Sequence, residues 1–312
     1  MIHSLPQHAE STLKWLAEHG VIAKDAAREW IPAGTINTVI RTHDDAGETV
    51  YVRIGPPAKV IGAPTWMRSD ALANEVLALD RIRQAMSCLP MTVAAGFRST
   101  AGHWLVQKAV PGEPLDVRLP RLTVEERVAI WRELGELVRR LHEVNGPWFG
   151  TPAGDQRFER WPTMVRSDAA GLLDDARLLG LNPSPYERLL VGIDRHEAAL
   201  RAVDQPSAVH SDLNSRHVFM GRRKGRWGIT GIIDWEYARY VDPLSESLLV
   251  ELLSRPEDDP DRAAFLGGYG FDLDLFAEPT FRTRQKIYRG IIAGWVATDA
   301  ARLNAARSAN DV

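Results

Sequence analysis

Along the first hundred residues, the pattern of hydrophobic and polar positions alternates between that of helices and that of β-strands. Apolar residues at helical spacing predict a helix that begins near Gln7 and ends at Gly20, and a second helix over 69–86. Runs rich in β-branched residues predict strands between and after them, and short Asp- or Gly-containing turns join these strands into hairpins. Two hairpins are predicted: strand 35–43 pairs with strand 48–55, and strand 91–100 pairs with strand 103–110. This region is therefore predicted to be a sheet with one long inserted helix.

The pattern changes at Val110–Pro120, where proline and glycine predict a linker. Helices dominate afterwards. One helix is predicted to start with a capping box of Thr123 and Glu126, and another with Ser184 and Glu187, with Pro185 at its first position. A β-hairpin is predicted within 217–235, and the segment 243–306 is predicted to be mostly helical.

Composition and charge exclude some classes of function. The chain has 312 residues, 45% hydrophobic and 25% charged, which is typical of a globular protein with more than one core. Its net charge of −3 argues against a nucleic-acid partner. No apolar run is long enough for a membrane span. We expect no signal peptide, because the first residues lack a basic stretch followed by an apolar one. The single Cys88 fits a reducing compartment, so we expect a cytoplasmic protein, and no obligate protein partner is evident.

Two carboxylates flank the predicted hairpin. Asp212 lies in the loop before its first strand, and Asp234 follows its second strand after a strongly apolar run. Because a hairpin returns the chain to the same end, we expect these two side chains to lie close together. Phosphoryl transfer needs one carboxylate for the acceptor hydroxyl and another for a metal ion. The alternative is two ordinary loop aspartates, which solvate or cap a turn.

The motifs around the hairpin resemble those of the aminoglycoside phosphotransferase and choline kinase family. That family reads H-G-D-L-H-P-G-N-V-L, then I-D-W-x-x-A and D-P. The matching residues are His210, Asp212, Leu213, Val218, Ile233, Asp234, Trp235, Ala238, Asp242 and Pro243. The resemblance implies an α+β, protein-kinase-like fold with a strand-rich N-lobe (1–109), a hinge (110–120) and a helical C-lobe (121–312), and a nucleotide in the crevice between the lobes.

The resemblance also implies roles for individual residues. Asp212 is similar to the catalytic base and Asp234 to the metal-binding aspartate, whereas His210 and Asp242 are expected to support the structure. Arg53 resembles the phosphate-binding cation, because its strand has no lysine and a guanidinium can fork two phosphate oxygens. The residues expected to bind the nucleotide are Gly34, Thr35, Asn37, Arg53, Glu75, Lys108 and Val110.

The sequence departs from the family at three places in this loop. Ser211 replaces a glycine, the residues at 214–216 are Asn-Ser-Arg instead of His-Pro-Gly, and His217 replaces the asparagine that binds metal. His217 has three interpretations. It donates a hydrogen bond to Asp212 or to a metal-bound water, it binds the metal itself and favours Mn²⁺, or the protein binds nucleotide without transferring phosphate. Macrolide phosphotransferases resemble this sequence in having histidine here, which favours an active enzyme.

The resemblance implies an enzyme that moves the γ-phosphate of ATP or GTP, with Mg²⁺ or Mn²⁺, to a hydroxyl of a small molecule. An aminoglycoside-, macrolide- or nucleoside-like antibiotic is the expected substrate class, with antibiotic resistance as the outcome. A metabolite kinase acting on a compound such as choline, and a nucleotide-binding pseudokinase, remain alternatives. A metal-dependent hydrolase using His210, Asp212, His217 and Asp234 is a further alternative, since histidine and aspartate suit zinc or iron.

Overall fold

A computed structural model describes residues 6–31, 37–55, 71–99 and 102–310. These residues form two compact units. The first contains the described residues of 1–63 and 90–110, and the second contains those of 64–89 and 111–312.

The first unit is one antiparallel sheet with one helix. Its strands follow the order β1-β2-β3-β5-β4. The elements are α1 (Gln7–Glu18), β1 (Glu29–Ile31), β2 (Thr38–His43), β3 (Thr49–Ile54), β4 (Thr92–Ser99) and β5 (Gly102–Lys108).

Buried and half-buried residues alternate along β3, and this alternation explains the packing of the unit. Val50, Val52 and Ile54 point to one face and are fully buried, together with Leu13 and Leu16 of α1. Each such side chain stabilises the fold by about 1.5–3 kcal/mol relative to an exposed one. The predicted hairpin between β2 and β3 is confirmed, with His43 paired to Thr49. The predicted pairing of 91–100 with 103–110 is confirmed as β4 and β5.

The second unit is mainly helical. Its helices are α2 (Ala71–Ile82), α3 (Leu115–Arg118), α4 (Val124–His142), α5 (Trp161–Leu178), α6 (Ser184–Arg195), α7 (Glu197–Arg201), α8 (Ser247–Ser254), α9 (Pro260–Tyr269) and α10 (Pro279–Asn310). Within the described residues, none of the helices combines the length and apolar character that a bilayer span requires.

Two small sheets lie within the helical unit. One has the order β11-β10-β6 and the other the order β8-β7-β12-β9. The strands are β6 (Glu113–Pro114), β7 (Phe149–Gly150), β8 (Arg157–Phe158), β9 (Ser207–Val209), β10 (Val218–Arg223), β11 (Arg226–Ile232) and β12 (Arg239–Val241). The predicted hairpin is thus confirmed as β10 and β11.

The core of the second unit forms where α4, α9 and the hairpin meet. Glycines allow α4 and α9 to approach closely, since a Cβ at Gly268 would lie 2.0 Å from the carbonyl oxygen of Arg132. Helix α2 also packs into this core through Ala78, Leu79 and Ile82. The sequence assigned α2 to the N-lobe, whereas its contacts place it in the second unit because its apolar face is buried there. The lobe boundaries themselves stay a prediction.

One predicted capping box is confirmed and the other is wrong. The Thr123 side chain accepts the N–H of Glu126, and Glu126 accepts the N–H of Thr123. At α6, by contrast, Ser184 is already the first helical residue and caps nothing. The Asn182 side chain accepts the N–H of Ser184 instead, at 3.1 Å. Pro185 is consequently the second helical residue, not the first.

Candidate active site

The loop 210–217 connects β9 to β10 and holds the predicted catalytic residues; we refer to it as the catalytic loop. The hairpin brings Asp234 back to the end of this loop, where the N–H of Ile233 donates to the carbonyl oxygen of His217 at 2.9 Å. His217 Nε2 lies 3.5 Å from Asp234 Oδ2, and its Nδ1 lies 3.8 Å from Asp212 Oδ2. One ligand atom from each of Asp212, His217 and Asp234 lies within 4.8 Å of the others. The predicted proximity of the two carboxylates is therefore confirmed.

The orientation of His217 is set by a backbone carbonyl. Its Nδ1 lies 2.8 Å from the carbonyl oxygen of Asp212, which also accepts Asn214 Nδ2 at 3.1 Å. A carbonyl oxygen only accepts, so Nδ1 donates a proton to it and Nε2 faces Asp234. Metal-binding histidines are commonly oriented by such a bond. Two carboxylates and one imidazole nitrogen form a donor set that fits a divalent cation, and the nitrogen suits Mn²⁺ better than Mg²⁺.

His210 is buried and has a different environment. Its Nε2 donates to the carbonyl oxygen of Ile233 at 2.9 Å, and its ring packs 4.5 Å from that of Trp235. Burial lowers the pKa of His210, so the ring is neutral. Its Nδ1 faces the N–H of Asp212, at 3.4 Å. Because its Nε2 proton points at a carbonyl, His210 is not a fourth metal ligand, and the hydrolase interpretation loses one of its four residues.

A buried carboxylate holds the start of the catalytic loop. Glu246 has no exposed surface, and its Oε2 accepts the N–H of His210 at 2.9 Å. The next residue, Ser247, donates its hydroxyl to the carbonyl oxygen of Leu213 at 2.8 Å. These two bonds fix the backbone on both sides of Asp212. We call Glu246 and Ser247 the loop anchor.

His142, the last residue of α4, supports the loop anchor. Its Nε2 lies 3.8 Å from Glu246 Oε2, and its Nδ1 lies 2.8 Å from the hydroxyl of Tyr269. Burial by itself would raise the pKa of Glu246, but the contact with His142 and the hydrogen bond from the backbone N–H of His210 outweigh it, and the pKa lies below its usual value. The anchor carboxylate is therefore ionised inside the core.

Asp212 has the electrostatic character of a base. Burial raises its pKa to about 6, the nearby His217 opposes this shift, and the charge of Asp234 adds to it. A carboxylate with a raised pKa accepts a proton more readily than an ordinary aspartate and is still ionised at neutral pH.

Two residues of the site have a left-handed backbone. Ser211 has φ of 69° and Asp234 has φ of 70°. This region disfavours residues with a Cβ, so both positions are strained. The first strained residue precedes the predicted base, and the second is the predicted metal ligand.

Glu75 lies beside the site in the second unit. Its carboxylate, with those of Asp234 and Glu236, forms a group whose ligand atoms lie within 4.8 Å of one another. The preceding residue, Asn74, is buried and donates to the carbonyl oxygens of Glu236 at 3.0 Å and Ala238 at 2.9 Å. Asn74 therefore ties α2 to the segment that follows Asp234.

The other predicted nucleotide-binding residues belong to the first unit. Asn37 is buried just before β2, and Arg53 lies on β3 opposite Val39 and Leu105. Lys108 ends β5, and Val110 follows it. Gly34 and Thr35 lie outside the described residues.

Part of the backbone that was predicted to bind the nucleotide base is already hydrogen-bonded within the sheet. The N–H of Lys108 donates to the carbonyl oxygen of Met91 at 2.9 Å, and the N–H of Ala109 donates to that of Thr49 at 3.0 Å. A nucleotide base would therefore meet the carbonyl of Lys108 or the peptide groups of Val110. The nucleotide-binding roles of these residues stay predictions.

Several residues that position the site were not predicted from the sequence as functional. Glu246 follows Asp242 by four residues, and a carboxylate there was a usable signal. Asp242 itself supports the C-terminal helices, as expected: it accepts from Leu244 N–H at 3.0 Å, from Arg284 at 2.7 Å and from the hydroxyl of Tyr288. Asn74 and His142 gave no signal beyond their place in amphipathic helices.

Comparisons with known proteins identify structures with a similar fold. Among solved structures, aminoglycoside phosphotransferase APH(4)-Ia is similar, with a TM-score of 0.61 and 16% identity over 95% of this chain and 96% of that one. The complex of APH(2")-IIa with streptomycin and ATP has a TM-score of 0.57 and 14% identity, over 97% and 99%. The complex of APH(2")-IIIa with GDP and kanamycin has a TM-score of 0.58 and 16% identity, over 96% and 99%.

At these identities the likeness shows the fold, and it confirms the α+β, protein-kinase-like fold predicted from the sequence. A comparison with curated protein sequences gives no match. The sequence model of the phosphotransferase enzyme family, however, matches residues 29–279, which is most of the chain. The protein therefore belongs to the phosphotransferase enzyme family.

Proposed function

We propose that the protein transfers the γ-phosphate of ATP or GTP to a hydroxyl of a small-molecule antibiotic and so confers resistance. The observation that carries this proposal is the cluster of Asp212, His217 and Asp234, which the hairpin assembles next to a loop held by a buried carboxylate. A base and a metal-binding carboxylate at one point are what phosphoryl transfer requires of the protein.

Asp212 acts as the base. In this proposal it orients the acceptor hydroxyl and takes its proton as the hydroxyl oxygen forms a bond to the γ-phosphorus. The bond from phosphorus to the bridging oxygen breaks, and its electron pair leaves with the nucleoside diphosphate. The raised pKa of Asp212 favours proton acceptance near neutral pH.

Asp234 and His217 would hold the divalent cation, Mg²⁺ or Mn²⁺. When bound, the cation neutralises phosphate charge. The chain's own contribution is orientation: the carbonyl oxygen of Asp212 holds the His217 ring so that Nε2 faces Asp234. Glu75 would lie next to this position.

Nucleotide binding is assigned to the first unit together with Glu75. In this proposal Arg53 binds phosphate oxygens, and Gly34, Thr35 and Asn37 contribute a phosphate loop. The carbonyl of Lys108 and the peptide groups of Val110 would meet the base. Two structural neighbours support nucleotide use, since one was solved with ATP and another with GDP.

The acceptor class rests on similarity. Those same neighbours contain streptomycin and kanamycin, which are hydroxylated small molecules. In this protein the charges of Glu236, Asp234, Asp212 and Asp299 all act on Tyr237 and add to the effect of burial, which raises its pKa. Tyr237 packs edge-on against Trp295, with ring centroids 5.1 Å apart. An acidic, aromatic environment near the base suits an acceptor with basic groups.

The proposal is tested by a nucleotide-consumption screen. ATP and GTP, each with Mg²⁺ and with Mn²⁺, are combined with aminoglycosides, macrolides, nucleoside antibiotics and choline. We expect turnover of at least one antibiotic, and we expect Asp212→Asn to reduce it by about 10²–10⁴-fold while nucleotide binding persists. Turnover of choline alone would reassign the enzyme to metabolism. Nucleotide binding without any turnover would make it a pseudokinase, and wild-type rates in Asp212→Asn would remove the base assignment.

A further inference from the structure

Arg216 is a cation in the catalytic loop, four residues after Asp212, and the function described above does not use it. Its side chain is exposed. Within the part of the chain that the structure describes, its guanidinium makes no hydrogen bond or ion pair. Many arginines of the second unit are paired with carboxylates, and three of these pairs have little exposed side-chain surface. They are Arg239 with Asp168, Arg284 with Asp242, and Arg302 with Asp175.

The backbone of Arg216 is held in place although its side chain is not. Its N–H donates to the side-chain oxygen of Asn214 at 3.0 Å, and the N–H of His217 donates to the carbonyl oxygen of Asn214 at 3.1 Å. The carbonyl oxygen of Ser215 accepts the N–H of Asp116 at 3.3 Å. The side chain of Arg216 therefore extends from a fixed point in the loop that contains the base.

The charge of Arg216 acts on the base. It lowers the pKa of Asp212, against the larger effect of burial, which raises it. Yet the guanidinium does not close onto Asp212 or Asp234 to form an ion pair. A cation that follows the base by four residues on a fixed loop backbone, acts on its charge and forms no ion pair with it is available for an anionic ligand. The family pattern has glycine here, so this cation is a property of this chain.

We infer that Arg216 binds the phosphoryl group during its transfer, an inference that rests on the proposed function. As the acceptor oxygen bonds to phosphorus and the bridging oxygen leaves with the nucleoside diphosphate, negative charge spreads over three non-bridging oxygens. A guanidinium can bind two of them with parallel N–H bonds. Arg216 forms no covalent bond and transfers no proton, because arginine stays protonated.

This role predicts an effect on turnover more than on binding. A group that acts only in the transition state lowers kcat when it is removed, with little change in KM. Removing one donor to a developing oxyanion typically reduces kcat by about 10²–10³-fold. Arg216→Gln is therefore expected to reduce kcat by about a hundredfold, and Arg216→Lys, which keeps the charge but not the fork, by less.

The experiment compares wild type, Arg216→Gln, Arg216→Lys and the control Arg188→Gln. Arg188 is exposed on α6, away from the catalytic loop in sequence. Two readouts are used: kcat with both KM values, and the affinities for the nucleoside diphosphate alone and with aluminium fluoride, which mimics the transferring group. We expect Arg216→Gln to lose affinity for the aluminium fluoride complex only, and added guanidinium ion to restore part of its kcat. Arg188→Gln should match wild type.

Three results would overturn the inference. Equal kcat in Arg216→Gln and Arg188→Gln would make Arg216 a solvated surface residue. A higher KM for the acceptor with unchanged kcat would make it an acceptor-binding residue. Equal loss of affinity for both nucleotide forms would make it a ground-state phosphate ligand. A wild-type protein that binds no nucleotide would instead reject the proposed function, and the inference with it.

Discussion

The two halves of the catalytic loop are held in different ways. The first half, 210–213, is fixed from the core, because Glu246 binds the N–H of His210 and Ser247 binds the carbonyl of Leu213. The second half, 214–217, is held mainly by bonds within the loop, where Asn214 contacts the backbone of Asp212 and Arg216. The proposed base, Asp212, thus lies in the half that the core positions, and His217 and Arg216 lie in the half that is held by its own hydrogen bonds.

This difference matches where the sequence departs from its family. The residues at 214–217 are Asn-Ser-Arg-His in place of His-Pro-Gly-Asn, whereas His210, Asp212 and Leu213 match. A half-loop that depends on few distant contacts tolerates substitution without displacing the base. On the proposed roles, the residue for proton acceptance lies in the half that matches the family, and the residues for metal and phosphate lie in the half that departs from it.

Neutralising Glu246, the charged residue of the loop anchor, is expected to produce the largest loss of stability. Glu246→Gln keeps the shape of the side chain but removes the buried charge that binds His210 N–H and faces His142. Hydrogen bonds to charged groups contribute about 1.5–3 kcal/mol, and we expect the free energy of unfolding to fall by about that amount. Urea denaturation measures it.

The matched control is Glu251→Gln on the neighbouring helix α8. Glu251 pairs with Arg255 at the surface, where an ion pair contributes at most about 1 kcal/mol. If both substitutions cost the same, the first half of the loop is not held by a buried charge, and the contrast between the halves disappears.

Replacing His217 should change metal preference and leave the fold nearly intact. His217→Asn restores an amide oxygen, which Mg²⁺ prefers, in place of an imidazole nitrogen. We expect the ratio of kcat/KM with Mg²⁺ to that with Mn²⁺ to rise relative to wild type. His196→Asn, at an exposed position between α6 and α7, controls for loss of a histidine. An unchanged ratio would mean that His217 does not contact the metal.

Ser211→Gly is expected to have the smallest effect, which is a small gain in stability. Ser211 has φ of 69°, which costs a residue with a Cβ about 1–2 kcal/mol, while glycine loses about 0.5–1 kcal/mol more on folding. Ser211→Gly should therefore stabilise the protein by at most about 1 kcal/mol. Gly225, in the hairpin turn with φ of 82° and open space around it, is the reverse control. Gly225→Ser should destabilise by a similar amount, and a loss in Ser211→Gly would show that the serine side chain is needed.

The sequence predicted the elements that depend on local patterns. The strands of the first unit, the hairpin and the helix starting at Thr123 follow from alternation, turn residues and a capping box. The proximity of Asp212 and Asp234 also followed, because one hairpin fixes it. The misplaced start of α6 shows the limit: Ser184 and Glu187 fit the capping pattern, but the Asn182 side chain accepts the N–H of Ser184 and the helix starts one residue earlier.

Contacts between distant segments could not be predicted. The hydrogen bonds between Glu246 and His210 and between Asn74 and Ala238 join residues far apart in the chain, and no local pattern says that these partners meet. The orientation of the His217 ring likewise depends on where the carbonyl of Asp212 points. Such features require the packed structure, since they arise from how the helices meet and not from any one helix.

The short hairpin between the two carboxylates also bears on how the site forms during folding. Closing a short loop costs less chain entropy than closing a long one, and hairpins form within about 1–10 μs. Asp212 and Asp234 can therefore meet as soon as β10 pairs with β11, whereas Asn74 must reach across 164 residues to bind Ala238. We expect the reactive cluster to be an early, local product of the folding chain and its attachment to α2 a late one.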